Sequence, residues 1–278
     1  MGQKTGISWC DHTWSPWIGC QDVSDACRFC YAKALDHRFG RDSAWGPRGT
    51  RRVQSNAYWG KLFALDRSAW RAGKVRSVFP SMCDPFDNHH SIPPEWRARH
   101  WAAIRQTPHL LHLLLTKRPE NILRYLPPDW GARGYNNVWL GATAEDQPNL
   151  AHRAWHLAQA PAALRFISYE PALGAITPAR VTNRLGTTWN AITGRVLDAR
   201  SGPPSVGAIS WWICGDESGP HRRPTDRAWT RSLYDQCAAA GVAFFNKQAV
   251  ENGELTHEPM LDGVLHRAFP KPRAAEVV

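Results

Sequence analysis

Three cysteines fall in one short stretch, Cys20-x6-Cys27-x2-Cys30, within Gly19-Cys20-Gln21-Asp22-Val23-Ser24-Asp25-Ala26-Cys27-Arg28-Phe29-Cys30-Tyr31. Thiolates this close in one loop can hold a soft metal centre. A structural zinc ion wants a fourth ligand, and Cys10, His12 and His37 are near enough in sequence to supply it. An iron–sulfur cubane on three cysteines keeps one iron free of protein, open to a small molecule. Spacing alone leaves both open.

The other cysteines read differently. Cys83 follows a strand and could act as a radical relay or hydrogen donor, although a lone Cys there is more often small and buried. Cys10, Cys214 and Cys237 read as core. His89-His90 reads as a solvated loop, lacking a ligand pattern around it. Seven cysteines in 278 residues favour metal or catalytic use over a disulfide framework in an intracellular chain.

The elements that must position these residues alternate. Short, almost continuously apolar runs at Val75–Pro80, Leu110–Leu115, Val138–Ala142, Leu164–Ser168, Ile209–Cys214 and Val242–Asn246 read as strands buried on both faces. Between them Pro94–Gln106, Glu120–Leu126, Gln147–Ala160 and Thr225–Ala240 read as amphipathic helices. A further strand near residue 17, ahead of Cys20, and a helix from about Tyr31 bring the count to six or seven βα units. The expectation is one α/β domain over 1–278, a partial or complete (β/α) barrel, with a doubly wound open sheet as runner-up. Residues 41–73 and 178–207, rich in Gly, Pro, Arg and Ser, read as insertions between units.

In such folds the chemistry gathers at the carboxyl ends of the strands. Those ends are polar here: Ser81-Met82-Cys83-Asp84, Thr116-Lys117-Arg118, Thr143-Ala144-Glu145-Asp146, Tyr169-Glu170-Pro171, Gly215-Asp216-Glu217-Ser218 and Lys247-Gln248. Six such endings suggest one polar rim facing a ligand. The cysteine loop follows the first strand onto that rim, and Phe29 precedes its last Cys. Position therefore tips the balance toward the iron–sulfur reading.

A three-Cys loop in that place looks like a radical S-adenosylmethionine enzyme, whose usual spacing is three residues and then two where this chain has six and then two. More closely, the chain resembles a radical-SAM-like family of unknown function found in phage and bacterial genomes. The resemblance is carried by Ile7-Ser8-Trp9 with Thr13-Trp14-Ser15-Pro16, Gly19-Cys20 to Cys30-Tyr31-Ala32, and Ser81-Met82-Cys83-Asp84-Pro85-Phe86. It continues through Leu115-Thr116-Lys117-Arg118-Pro119, Val138-Trp139-Leu140-Gly141, Phe166-Ile167-Ser168-Tyr169-Glu170-Pro171, Gly215-Asp216-Glu217-Ser218-Gly219-Pro220 and Phe244-Phe245-Asn246-Lys247-Gln248.

The resemblance implies a barrel of the radical-SAM type and a [4Fe–4S] cluster held by Cys20, Cys27 and Cys30. S-adenosylmethionine would chelate the free iron, and its reductive cleavage by an external electron donor would give a 5′-deoxyadenosyl radical. The family's glycine-rich motif after the second strand is not recognisable here; Ser81 and Asp84 stand in its place, with Asp84 suited to the cofactor's ammonium. Glu145 and Glu170 are candidates for its ribose, with Ser168 beside them. Cys83 and Lys117 are the catalytic candidates. The alternative role for the carboxylates is pairing with Lys117, Arg118 or Lys247 across the rim.

Charge points to the partner. The formal net charge is +10, and residues 38–76 alone carry ten basic and two acidic residues. Trp45, Tyr58, Trp59, Phe63 and Trp70 interleave with them, a pattern that suits phosphates and unpaired bases. Arg48, Arg51, Arg52 and Trp59 are the candidate contacts, with Arg222 and Arg223 extending the track. The reading is modification or repair of a nucleobase, in DNA ahead of RNA. A zinc-stabilised nucleic-acid-binding protein without catalysis, or a radical enzyme on a free nucleotide or phosphorylated metabolite, are the alternatives. Met1-Gly2-Gln3-Lys4-Thr5-Gly6 holds no apolar stretch of a secretory signal, and no apolar run approaches the ~20 residues that span a bilayer. The expectation is a cytoplasmic protein with no membrane partner.

Overall fold

A computed structural model describes residues 5–41, 43–198, 203–219 and 221–270. Asp42, Pro220 and residues 199–202, which belong to stretches named above, lie outside the described residues. The chain builds one large sheet from β1 (His12–Thr13), β2 (Arg76–Phe79), β3 (Leu110–Thr116), β4 (Val138–Thr143), β5 (Leu164–Tyr169), β6 (Trp211–Gly215), β7 (Ala243–Glu251) and β8 (Glu254–Thr256). The strands lie side by side in chain order. The first seven run parallel, and β8 turns back on β7 through Asn252-Gly253, both at positive φ, as a tight hairpin requires. Sequential order removes the doubly wound alternative, whose strand order reverses midway. The sheet curls into a half-barrel, and among the described residues no ladder joins β1 to β7 or β8.

Parallel strands need cover on both faces, and alternate side chains supply it. Leu114, Leu140, Ala142, Ile167, Trp212, Cys214 and Phe244 belong to the large core that also includes helix residues. Those helices are α3 (Pro94–Arg105), α4 (Ile122–Tyr125), α5 (Gln147–Gln159) and α6 (Arg227–Ala239), while α1 (Tyr31–His37) and α2 (Asn56–Arg71) pack in smaller clusters of their own. The alternate positions Leu113, Trp139, Phe166, Trp211, Ile213 and Phe245 form a second cluster with Trp9 and Phe79. This is the concave face, plugged by aromatic rings: Phe166 and Trp211 stand 5.6 Å apart, Trp139 and Trp211 5.8 Å. Gly141 is required there, since a Cβ at that position would stand 2.3 Å from the Phe166 ring. The plug fills one end of the half-barrel and leaves the carboxyl ends of the strands as the open end.

Two expectations are corrected. The strand near residue 17 exists as Trp17–Ile18, but it pairs antiparallel with Arg52–Val53 outside the main sheet; the first sheet strand is β1. About half of the 41–73 stretch is no insertion. It is the crossover helix α2, capped by the Ser55 hydroxyl, which buries Trp59, Leu62 and Ala69 against Trp14, Val78 and Leu110. The 178–207 stretch, in its described part, is a three-stranded antiparallel sheet between β5 and β6, with Trp189 buried edge-on to Trp155 of α5. No helix of the described residues is long and apolar enough to cross a membrane.

Two histidines are buried in this frame. His100 lies among Trp14, Trp17 and Trp101, and His112 meets the Thr107 hydroxyl at 2.9 Å. Burial first lowers both to about 3, helped by the Arg97 charge at His100 and by the repulsion that a protonated His100 would exert on His112. Both are neutral in the fold, so their stability contribution is complete above the unfolded value near 6.5 and is lost as pH falls toward 3. Each adds a slope of about 1.4 kcal/mol per pH unit in that window. Urea titrations between pH 6.5 and 4 should show it, and His112→Gln should flatten the slope by about that amount.

Candidate functional site

The open end of the half-barrel is a cleft of about 1140 Å³, counted with its mouth. Cys20, Cys27 and Cys30 line it, together with residues from the ends of β2 through β7. Cys27 closes a single 3-10 turn, Asp25–Cys27, and Cys30 precedes the first turn of α1. Tyr31 then ties α1 to the end of β2, its hydroxyl donating to the Ser81 carbonyl at 3.1 Å.

Cys20 is held at both ends. Its carbonyl accepts from Gly46 N at 2.9 Å, and its Sγ accepts from Arg118 Nη1 at 3.5 Å. The preceding Gly19 has φ +115°, and a Cβ there would lie 2.2 Å from the Ala44 carbonyl oxygen, so only glycine fits. Burial first, and then Asp84, raises the Cys20 thiol to about 12, with Arg118 opposing. A metal taking Cys20 as a thiolate must therefore displace a proton.

Of the remaining expected residues, Ser81, Cys83, Asp84, Lys117, Ser168 and Glu170 all line the same cleft. Ser168 Oγ donates to Glu170 Oε2 at 3.0 Å, and Lys247 Nζ stands 2.9 Å from Glu170 Oε1. Gly215 makes room for this carboxylate, since a Cβ there would approach Oε1 to 2.7 Å.

Two carboxylates are corrected. Asp84 Oδ1 already accepts from Phe86 N at 2.9 Å, and Oδ2 from Lys117 N at 3.2 Å and Arg118 Nη1 at 3.1 Å. It anchors Arg118 and the backbone of Phe86 and Lys117, so three of its roughly four acceptor sites are taken. Glu145 is 1% exposed, lies outside the cleft lining, and pairs with Arg153 at 2.6 Å. The Cys83 thiol is turned to the Trp17 backbone, and burial raises it well above its usual value. That fits the packing role over the relay.

The basic stretch divides on burial. The Arg51 side chain has no exposure and pairs with Asp87, equally buried, at 2.9 Å. It also donates to the Ala44 and Gly46 carbonyls. Trp59 is 2% exposed, edge-on to Trp14 and covered by Arg99. Neither can reach a nucleic acid, because both are part of the core. Arg52 pairs with the buried Asp36, Arg223 with Glu217 and Asp25, and Arg222 donates to the Gly219 and Gly253 carbonyls. Arg48 is exposed. Trp45, three residues before it, lines the cleft with its indole N–H fixed on Asp36 Oδ2 at 3.1 Å. His89 is also corrected: it is 6% exposed, bonded to Ser91 Oγ and the Pro47 carbonyl. Arg118 is the residue sequence reasoning underrated; its place at the end of β3 was the available signal.

The side chains can be tested against the two metal readings. Cys10 is packed in the aromatic plug, and neither Cys10, His12 nor His37 lines the cleft. The fourth zinc ligands named from the sequence are thus not among the cleft-lining residues. Three thiols line one cleft, with a charged N–H donor on one of them, and three-cysteine clusters draw on thiols of this kind. As the side chains stand, no three His, Cys, Asp or Glu among the described residues converge on a single ion.

A family model described as "Protein of unknown function (DUF5131)" matches residues 4–270. The chain belongs to that family. No curated protein and no solved structure matches it. The DUF5131 match takes in the cysteine loop, every strand of the half-barrel and all six helices.

Removing Arg51 leaves Asp87 buried without its closest cation. Arg51→Ala should cost roughly 3–5 kcal/mol in urea unfolding, whereas Arg48→Ala should stay within about 0.5 kcal/mol.

Proposed function

We propose that this protein is a radical S-adenosylmethionine enzyme, with a [4Fe–4S] cluster on Cys20, Cys27 and Cys30. The observation that carries the reading is the placement of these three thiols in one cleft at the carboxyl ends of a sequentially ordered parallel half-barrel. That is where such folds keep their chemistry. When bound, the cluster and S-adenosylmethionine supply a 5′-deoxyadenosyl radical, with the reducing electron from an external donor.

The chain's own residues bind, orient and exclude water. Glu170, fixed by Ser168 and Lys247, offers an acceptor edge for ribose hydroxyls. Lys117 meets an anionic group. Trp9 and Phe79, 4.7 Å apart, close the floor against solvent. Ser81 is a further polar contact on the wall.

The substrate reading is a nucleobase in DNA or RNA, taken single-stranded or flipped into the cleft. Its support is the set of exposed cations in residues 38–74, among them Arg48, three residues after the cleft-lining Trp45. A free nucleotide is the competing substrate; competition between mononucleotides and oligonucleotides separates the two.

Protein purified anaerobically, reconstituted with iron and sulfide, and given dithionite and S-adenosylmethionine should release 5′-deoxyadenosine. Cys27→Ala should abolish that release. Colourless protein with stoichiometric zinc would overturn the reading and leave a binding module. Oligonucleotide affinity should fall with salt, and Arg48→Ala should lower the log–log slope by about 1, while no salt-sensitive binding would remove the nucleic-acid substrate.

A further inference from the structure

Arg118 sits at the end of β3, far in sequence from the cysteine loop, yet it is 3% exposed and divides its guanidinium between that loop and two buried carboxylates. Nη1 is shared between Cys20 Sγ at 3.5 Å and Asp84 Oδ2 at 3.1 Å. Nη2 donates to the Gln21 carbonyl at 2.8 Å. Nε lies 3.8 Å from Asp87 Oδ1.

The partners of these partners close a circuit. Asp87 accepts from Arg51, Arg51 donates to the Gly46 carbonyl, and Gly46 N donates to the Cys20 carbonyl. Cys20 is thus gripped by its backbone from one side and by its sulfur from the other. Cys27 ends a 3-10 turn and Cys30 precedes α1, and among the described residues no arginine donates to either sulfur as Arg118 does to Cys20. A fork of donors reaching sulfur, carbonyl and carboxylate together is work for arginine, not lysine.

We propose that Arg118 is a positioning residue: it fixes Cys20 and its loop, and donates a charge-assisted hydrogen bond to the sulfur that would ligate the metal centre. The second half rests on the radical reading above; the first does not. A donor and a positive charge at a ligating sulfur favour the reduced, more negative form of a cluster and strengthen its binding.

The test uses the full chain with Arg118→Gln and Arg118→Lys. Hydrogen exchange on the metal-free protein should show faster exchange of residues 19–31 in both variants, with β5 and β6 still protected as the folding control. Reconstituted Arg118→Gln should bind iron roughly 10- to 100-fold more weakly and show a more negative midpoint potential in a redox titration. Arg118→Lys, which keeps the charge but not the fork, should hold its potential near wild type. Wild-type exchange across 19–31 in Arg118→Gln would overturn the positioning role, and an unchanged potential in loaded Arg118→Gln would overturn the sulfur role. If the wild type takes up no iron, the radical reading fails and the sulfur role with it, while the exchange data still decide the positioning role.

Discussion

Asp84 and Asp87 stand just past β2 with 6% and no exposure, and buried carboxylates must be compensated. Much of the cleft's local architecture follows from how that is done. Arg51 comes from just before the strand paired with Trp17–Ile18, and Arg118 from just past the end of β3. Arg97 of α3 donates to the Asp87 carbonyl. Three separate parts of the chain are therefore drawn to one point beneath the cysteine loop. The same arginines hold backbone carbonyls of residues 44, 46 and 21, so charge compensation also shapes the loop.

The half-barrel supplies the other constraint. Its concave face cannot stay empty, and a ring of aromatic side chains fills it up to the level of Trp9 and Phe79. Above that level the strands end in polar residues. The change from apolar to polar at each strand end is what sets the floor of the cleft. Gly141 and Gly215 mark the two levels, one yielding space to the Phe166 ring below and one to the Glu170 carboxylate above.

The regular part of this design was legible in sequence. Strands covered on both faces are apolar throughout, so their positions and their order of alternation with helices could be read directly, and the cleft residues at their ends followed. The helix α2 was hidden because Arg, Gly and Pro on its flanks dominated the composition, although Ser55 and the apolar residues at 58, 59, 62, 63 and 69 carry a cap and a helical period. Arg51 and Trp59 were misplaced for a physical reason: formal charge and ring type say nothing of exposure, which depends on what the rest of the chain packs against them. Glu145 failed in the same way, its partner Arg153 lying two turns along the following helix. Arg118 could not be weighted from spacing, because its partners stand 97 and 98 residues away.

Burial also redistributes the meaning of the net charge. Arg51, Arg97, Arg118 and Arg153 are neutralised or enclosed inside the molecule, and the cleft itself carries both signs, with Lys117 and Lys247 facing Glu170, Asp216 and Glu217. Inside such a mixed wall a polyanion gains little from charge alone. The exposed cations, among them Arg38, Arg41, Arg48, Lys61, Arg67, Arg71 and Lys74, lie outside the cleft lining. Their field attracts and steers an anion at a range of about a Debye length. On the proposed reading, discrimination between substrates falls to the short-range contacts of the cleft wall, where Trp45 and Phe29 give ring surface and Glu170 and Lys117 give polar edges. Capture on the outside would then be separated in space from recognition within.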